Sequence, residues 1–371
     1  MPYKELNSFN EISQLQNNGL NYFYGMEDFD SFFIICILIC ILFFISLLLI
    51  RKFIHKKKAK RKTLFILWNL NLTLFLFGLI FLIGESYFRF SVDTTDSFSI
   101  NKISKRWKAR HYQFNNSNCR DKVDYFNKIK KGKRRITIFG DSFTIGQGIE
   151  DIDDRFSNIL AQKLNNVEVH NVAKDGASSA SQLLQLKETK DKGYELDIVI
   201  LAYCLNDIDY LIPEAEPIYE RIHAFNNGLN LLEKQSYFIN WLSFRYFAYK
   251  DPDLIHYSDF VLKGYKGQSW NKHKTVLQNI IRSVYEQNGR IMVVTFPFLQ
   301  HTAENYPFRE IHTQLDDFWI NQNIPHLDLL SSFEPYLGPE LTVNNYDAHP
   351  NELSNKIAAE EIVKFLNQLR R

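Results

Sequence analysis

The sequence predicts an α/β protein: a doubly wound parallel sheet preceded by two membrane-spanning helices. Two observations lead there. Two long uncharged apolar runs stand near the beginning of the 371 residues, and beyond Gly84 short β-branched apolar runs alternate with helical patterns. Strand, helix, strand repeated in this way implies right-handed crossovers and a parallel sheet.

The membrane elements come first. Phe32–Ile50 is a run of 19 residues with no charge. At a rise of ~1.5 Å per residue it covers about the hydrocarbon core of a bilayer. Leu64–Ile83 is also uncharged but carries Asn69, Asn71 and Thr73. Those polar groups are expected to face the partner helix. Between the runs, residues 51–62 hold Arg51, Lys52, Lys56, Lys57, Lys58, Lys60, Arg61 and Lys62, whereas Glu5, Glu11, Glu27, Asp28 and Asp30 precede the first run. Lys and Arg in short loops mark the cytoplasmic side, so both chain ends are expected outside. Residues 102–134 are basic too, but most lie too far from the second run to set its orientation. The expected organisation is a short extracytoplasmic segment at 1–30, a hairpin at 31–83 with a basic cytoplasmic loop at 51–63, a connector at 84–134, and a soluble domain at 135–371. That makes an integral inner (cytoplasmic) membrane protein of bacterial type with its large domain on the outer, periplasmic side.

In the soluble part, Arg135–Phe139, Val167–Ala173, Asp197–Tyr203, Arg290–Phe296 and Ile324–Leu329 read as strands. Such continuous apolar runs suit strands buried on both faces. Asp154–Leu164, Ser179–Lys192, Trp270–Asn288 and Thr313–Asn321 read as helices, and Glu352–Leu369 follows Asn351 as its N-cap. The aromatic-rich stretch 209–268 interrupts the alternation. It is expected as an inserted helical subdomain; a lid, or a face lying on the membrane, are its other readings.

Composition excludes several classes. A net charge of +2 argues against a globally basic nucleic-acid binder, and four cysteines do not make a disulfide scaffold. There is no CxxC pair and no zinc-type spacing. The acidic cluster Glu150, Asp151, Asp153 and Asp154 lacks an EF-hand spacing and sits at a helix start, where carboxylates favour the positive dipole end. No metal site is expected. The mean hydropathy of −0.25 averages over two very different parts.

The chemistry begins where the first strand runs into GDSFTIGQG, residues 140–148. Ligands of open α/β sheets sit at the carboxyl ends of strands, and Ser142 is placed there, entering a helix. A glycine-rich turn with a capping serine, or a phosphate loop, are the competing readings; the spacing fits neither common nucleotide motif. A serine nucleophile needs a base and an orienter for that base. His349 lies in YDAHPN just before the last helix, with Asp347 two residues upstream on the same loop. His170, His223, His256, His273, His301, His312 and His326 fall on strand, helix or insert patterns. An oxyanion also needs donors. The second strand ends in NVAKDG, offering the Gly176 amide, and the third in AYCLND, offering the Asn206 side chain. Four strand ends or loops thus aim suitable groups at one rim.

These four blocks resemble those of the SGNH (GDSL-type) hydrolase superfamily, in its order, over about residues 135–371 with the stretch 209–268 outside it. The resemblance implies a flavodoxin-like three-layer α/β/α sandwich and no cofactor. By position, Ser142 is the nucleophile and an oxyanion donor through its amide, Gly176 and Asn206 complete the oxyanion hole, and His349 is the base with Asp347 as its orienter. Two departures are visible: Cys204 stands where the third block usually has glycine, and Asp347 precedes His349 by two residues rather than three. Asp141 and Asp207 are expected to be structural. The implied function is that of a membrane-anchored serine esterase acting on O-acyl esters, with cell-envelope glycans favoured as substrates. An O-acyltransferase, a lipid esterase or thioesterase, and a non-catalytic glycan-binding module are the alternatives. The partners implied are an acylated glycan or lipid ester and the membrane, with no nucleic acid; protein partners are not specified.

Overall fold

A computed structural model describes residues 29–56, 61–303 and 305–369. The residues before 29 and residues 57–60 of the basic loop lie outside the described part. Among the described residues, contacts divide the chain into two units: those up to 94, with 101–109 and 228–247, form one, and 95–100, 110–227 and those from 248 onward the other.

The first unit is built on two helices, α1 (Ser31–Lys56) and α2 (Arg61–Ser86), the latter continuing into a π-helical turn, Tyr87–Ser91. Both are long and apolar enough to cross a bilayer. They extend into the basic stretch from either side, since nothing in Arg51–Lys56 breaks a helix. Large apolar side chains such as Leu42, Ile66, Phe77 and Ile80 point outward, as expected where lipid is the solvent. Between the helices, Asn71 donates to Ser46 Oγ at 2.7 Å, and Cys40 lies so close to Gly78 that a Cβ there would stand 2.8 Å from its sulfur. Small residues and interhelical hydrogen bonds are what join helices in lipid. Thr73 instead bonds its own backbone, at the Asn69 carbonyl.

At the far end of α2 lies a buried charge cluster. Arg89 pairs with Glu85 at 2.7 Å and Asp30 at 2.9 Å. Glu85 also accepts from Ser236 Oγ and from the amides of Tyr237 and Phe238. It thereby caps the helix Tyr237–Lys250 from a distant part of the chain, a charge-assisted form of N-capping. Phe88 stacks on Phe238 and Trp241 of that helix. The helix α3 (Lys102–His111) starts on Asn240, whose side chain accepts from the Lys102 amide at 2.7 Å.

The second unit carries a five-stranded sheet in the order β2-β1-β3-β4-β5, every pairing parallel. The strands are β1 (Arg134–Phe139), β2 (Val167–Asn171), β3 (Ile198–Cys204), β4 (Arg290–Phe296) and β5 (His326–Asp328). Consecutive residues such as Val199 and Ile200, or Val293 and Val294, are all buried, which requires cover on both faces. The cover comes from α4 to α9: the short α4 (Ser142–Ile145), then α5 (Phe156–Lys163), α6 (Ser179–Asp191), α7 (Gly267–Tyr285), α8 (Arg309–Asn321) and α9 (Glu352–Leu369). Helices α5 and α9 pack together, as do α6 and α7. This is a doubly wound sandwich of the flavodoxin strand order, with its topological switch between β1 and β3. Asn351 caps α9 through the Ser354 amide.

The stretch 209–268 is helical throughout most of its length, and the contact division shares it between the two units. One element is new. Thr342–Asn344 and Asp347–Pro350 form a two-stranded antiparallel hairpin, β6 and β7. Strands of three and four residues are too short to leave an alternation pattern in a sequence.

Candidate active site

Strand β1 delivers the chain into a turn that only glycine permits. A Cβ on Gly140 would stand 2.2 Å from Thr144 Oγ1. Asp141 then caps α4, its carboxylate accepting from the Phe143 amide at 2.9 Å. Ser142 is therefore the first residue of a helical turn at the carboxyl end of β1. Gly146, at φ +80°, ends that turn in the left-handed region.

Two buried arginines hold the end of α4 and the loop after it. Arg120 donates to the carbonyls of Gly146, Ile145 (3.2 Å) and Ile149 (2.6 Å). Arg155 donates to Ile145 at 3.2 Å and pairs with Asp121 at 3.1 Å. Burial lowers Arg120 to about 10, with the neighbouring Tyr112, Asp175 and Asp121 opposing that shift. Even so it stays charged at neutral pH. The Gly146 carbonyl also accepts from the Ile149 amide within the loop at 3.2 Å, so the arginines add to the loop's own pairing of buried carbonyls.

His349 Nε2 lies 2.7 Å from Ser142 Oγ. Its other ring nitrogen, Nδ1, meets Asp347 Oδ1 in a short contact, and its backbone amide donates to the same oxygen at 3.1 Å. Asp347 and His349 sit on β7, not on the loop expected from sequence. The i, i+2 spacing of a strand puts both side chains on one face. That is how an aspartate only two residues away reaches Nδ1.

Asp347 and His349 are both buried. Burial by itself raises the carboxyl of Asp347, yet His349, with help from the Thr95 hydroxyl, holds it below its ordinary value. Burial by itself lowers the imidazole; Asp347, and beyond it Asp141 and Asp175, raise it above its ordinary 6.5. Asp141, fully buried, is pushed up to about 6 by burial, against the pull of His349. Asp207 is raised by burial and by Asp141, and it accepts from Gln182 Nε2 at 3.0 Å.

The topology brings the other two blocks alongside. β2 and β3 flank β1, so the loops after all three open at the same edge of the sheet. Gly176 adopts φ +66° with open space where a Cβ would be. Its neighbour Asp175 is tied down by the Tyr112 hydroxyl at 3.2 Å. Neither the Ser142 nor the Gly176 amide has a backbone partner among the described residues. Asn206 stands in the 3-10 turn that begins at Leu205 directly after β3. The Leu205 carbonyl is held by Tyr265 Oη at 2.8 Å, itself 2.6 Å from Tyr203 Oη. Tyr203 in turn lies 3.0 Å from Nε2 of the buried His273. Cys204 and Cys119 are both unpaired thiols.

Sequence reading missed the support supplied from residues 95–120. Thr95 donates to Asp347 Oδ2, Tyr112 to Asp175, and Arg120 to the turn after Ser142. Single polar residues in an irregular segment carry no period. The one available signal was an arginine and tyrosine content that a solvated connector does not need. The acidic cluster has a simple fate: Lys122 pairs with Asp151 at 3.1 Å and Asp153 at 3.0 Å.

No curated protein matches the chain. Solved structures do. A lipolytic protein of the G-D-S-L family from Veillonella parvula is 16% identical, with 62% of this chain and 97% of that one covered at a TM-score of 0.39. The acetyl xylan esterase AlAXEase is 15% identical over 62% and 98%, with a TM-score of 0.40. A two-domain esterase active on acetylated mannans is 11% identical over 65% and 50%, at 0.38. The GDSL-like lipase/acylhydrolase family matches residues 138–357, a span that contains Ser142, Gly176, Asn206, Asp347 and His349 and takes in over half of the chain. The chain belongs to the GDSL-like lipase/acylhydrolase family and is an ester-bond hydrolase.

Proposed function

We propose that the chain is a membrane-anchored serine esterase working through Ser142, His349 and Asp347. The observation that carries this reading is the hydrogen-bonded line from Ser142 Oγ through the His349 ring to Asp347. Ser142 Oγ attacks the ester carbonyl while His349 Nε2 takes its proton. The negative charge that develops on the carbonyl oxygen is received by the amides of Ser142 and Gly176 and by the Asn206 side chain. His349 then protonates the departing alcohol. Water, deprotonated by the same imidazole, releases the acid and restores Ser142. Asp347 holds the tautomer with the proton on Nδ1 and stabilises the imidazolium as it forms.

The two apolar helices anchor the enzyme, and the basic stretch 51–62 orients it with the hydrolase outside. An enzyme held there meets envelope glycans, so O-acyl groups on a polysaccharide are the proposed substrates. The test compares Ser142→Ala with the parent on short-chain esters and acetylated glycans. Activity is expected to fall about 10^6-fold, and a fluorophosphonate probe is expected to label only the parent. Full activity in the variant overturns the reading.

A further inference from the structure

We propose that Thr95 is a positioning residue of the site, and that the strap Thr95–Ser97 is a working part of the hydrolase although it lies outside the residues that match the family. The inference rests on the reading of Asp347 as orienter.

Asp347 has two oxygens with different partners. Oδ1 takes both the ring and the backbone of His349. Among the described residues, Oδ2 takes the Thr95 hydroxyl alone. Thr95 and Asp347 are 2% and 1% exposed, so water does not substitute. A buried carboxylate oxygen left unpaired is costly, and a carboxylate held at one oxygen only is free to swing about its χ2.

The strap is itself held on both sides of Asp347. The Thr95 carbonyl accepts from Asn344 Nδ2 at 3.1 Å. The Ser97 amide donates to the Tyr346 carbonyl at 3.0 Å, and Ser97 Oγ accepts from the Ala348 amide at 3.1 Å. Between them, the Asp96 carbonyl accepts from Gln147 Nε2 at 2.9 Å, and that same nitrogen lies 3.2 Å from His349 Nδ1, at the ring edge. The Asp96 carboxylate folds the turn by accepting from the amides of Phe98 and Ser99. Three consecutive residues thus grip β7, the serine turn and the carboxylate at once. Residues 95–100 belong to the hydrolase unit while the chain on either side belongs to the other.

The test uses the full chain in detergent with p-nitrophenyl acetate. Thr95→Val keeps the shape and removes the hydroxyl; kcat is expected to fall about ten- to a hundredfold, the worth of one hydrogen bond to a charged group. KM is expected to stay within about twofold, since the hydroxyl acts on the base and not on bound ester. Thr95→Ser is expected to restore kcat to within about threefold of the parent, as the donor returns. Parental kcat in Thr95→Val, with Ser142→Ala inactive, overturns the role of Thr95 and leaves the serine mechanism standing. Activity in Ser142→Ala overturns the mechanism itself. If Thr95→Val does not fold, Ser97→Ala decides: it loosens the strap with Thr95 in place, and an unchanged kcat there overturns the proposal.

Discussion

The turn that carries Ser142 and the hairpin that carries His349 are held in opposite ways. The turn is specified largely by its own residues: a glycine where no Cβ fits, an aspartate cap, and a left-handed glycine to end the helix. The hairpin has only two short strands, and its aspartate, histidine and tyrosine are placed by partners some two hundred to two hundred and fifty residues away. A nucleophile can be built locally because its demands are on backbone dihedrals. A base must be aimed at something, and aim requires partners from elsewhere in the fold.

The sharpest way to break this comparison is at the hairpin. Asp347→Asn keeps the shape and removes the charge that raises His349. Activity is expected to fall by about 10^4-fold, as expected where the imidazole is left in the wrong tautomer. In the proposed mechanism the parent needs neutral His349, whose pKa is raised above 6.5, so kcat/KM is expected to rise with pH through a midpoint above that value. In the variant the raising charge is gone, and the midpoint is expected to move to lower pH. A midpoint that stays put in the residual activity would argue that Asp347 does not act on the base.

On the side of the turn, Arg120→Met leaves the buried carbonyls of Ile145, Gly146 and Ile149 without that donor. Unfolding stability is expected to drop by about 2–4 kcal/mol in a denaturant titration. An unchanged midpoint would show that the turn needs no outside support.

The smallest expected effect comes where the two regions touch. Gly148 sits at φ +85°, and a Cβ there would stand 2.3 Å from Val343 on β6. Gly148→Ala is expected to cost about 1–3 kcal/mol and to lower kcat more than it changes KM. Gly148→Ala with Val343→Ala relieves the clash; recovery of kcat in the double variant would show that spacing between turn and hairpin sets the rate.

By itself, the sequence determined the elements whose signal is local and repeated. β4 falls where its apolar run does, and the edges of β1, β2, β3 and α9 lie within about two residues of expectation, because a strand buried on both faces must be continuously apolar. The four blocks were legible because strand ends, glycines and chemistry-bearing side chains coincide in short motifs. The tertiary structure alone decided that Asp347 and His349 lie on a strand, that Thr95, Tyr112 and Arg120 bond Asp347, Asp175 and the turn after Ser142, and that Glu85 caps a helix about a hundred and fifty residues away. The contacts of Thr95, Tyr112, Arg120 and Glu85 are single side chains satisfying polar groups far away along the chain. Such a contact has no period and no composition, and it exists only once the chain is packed.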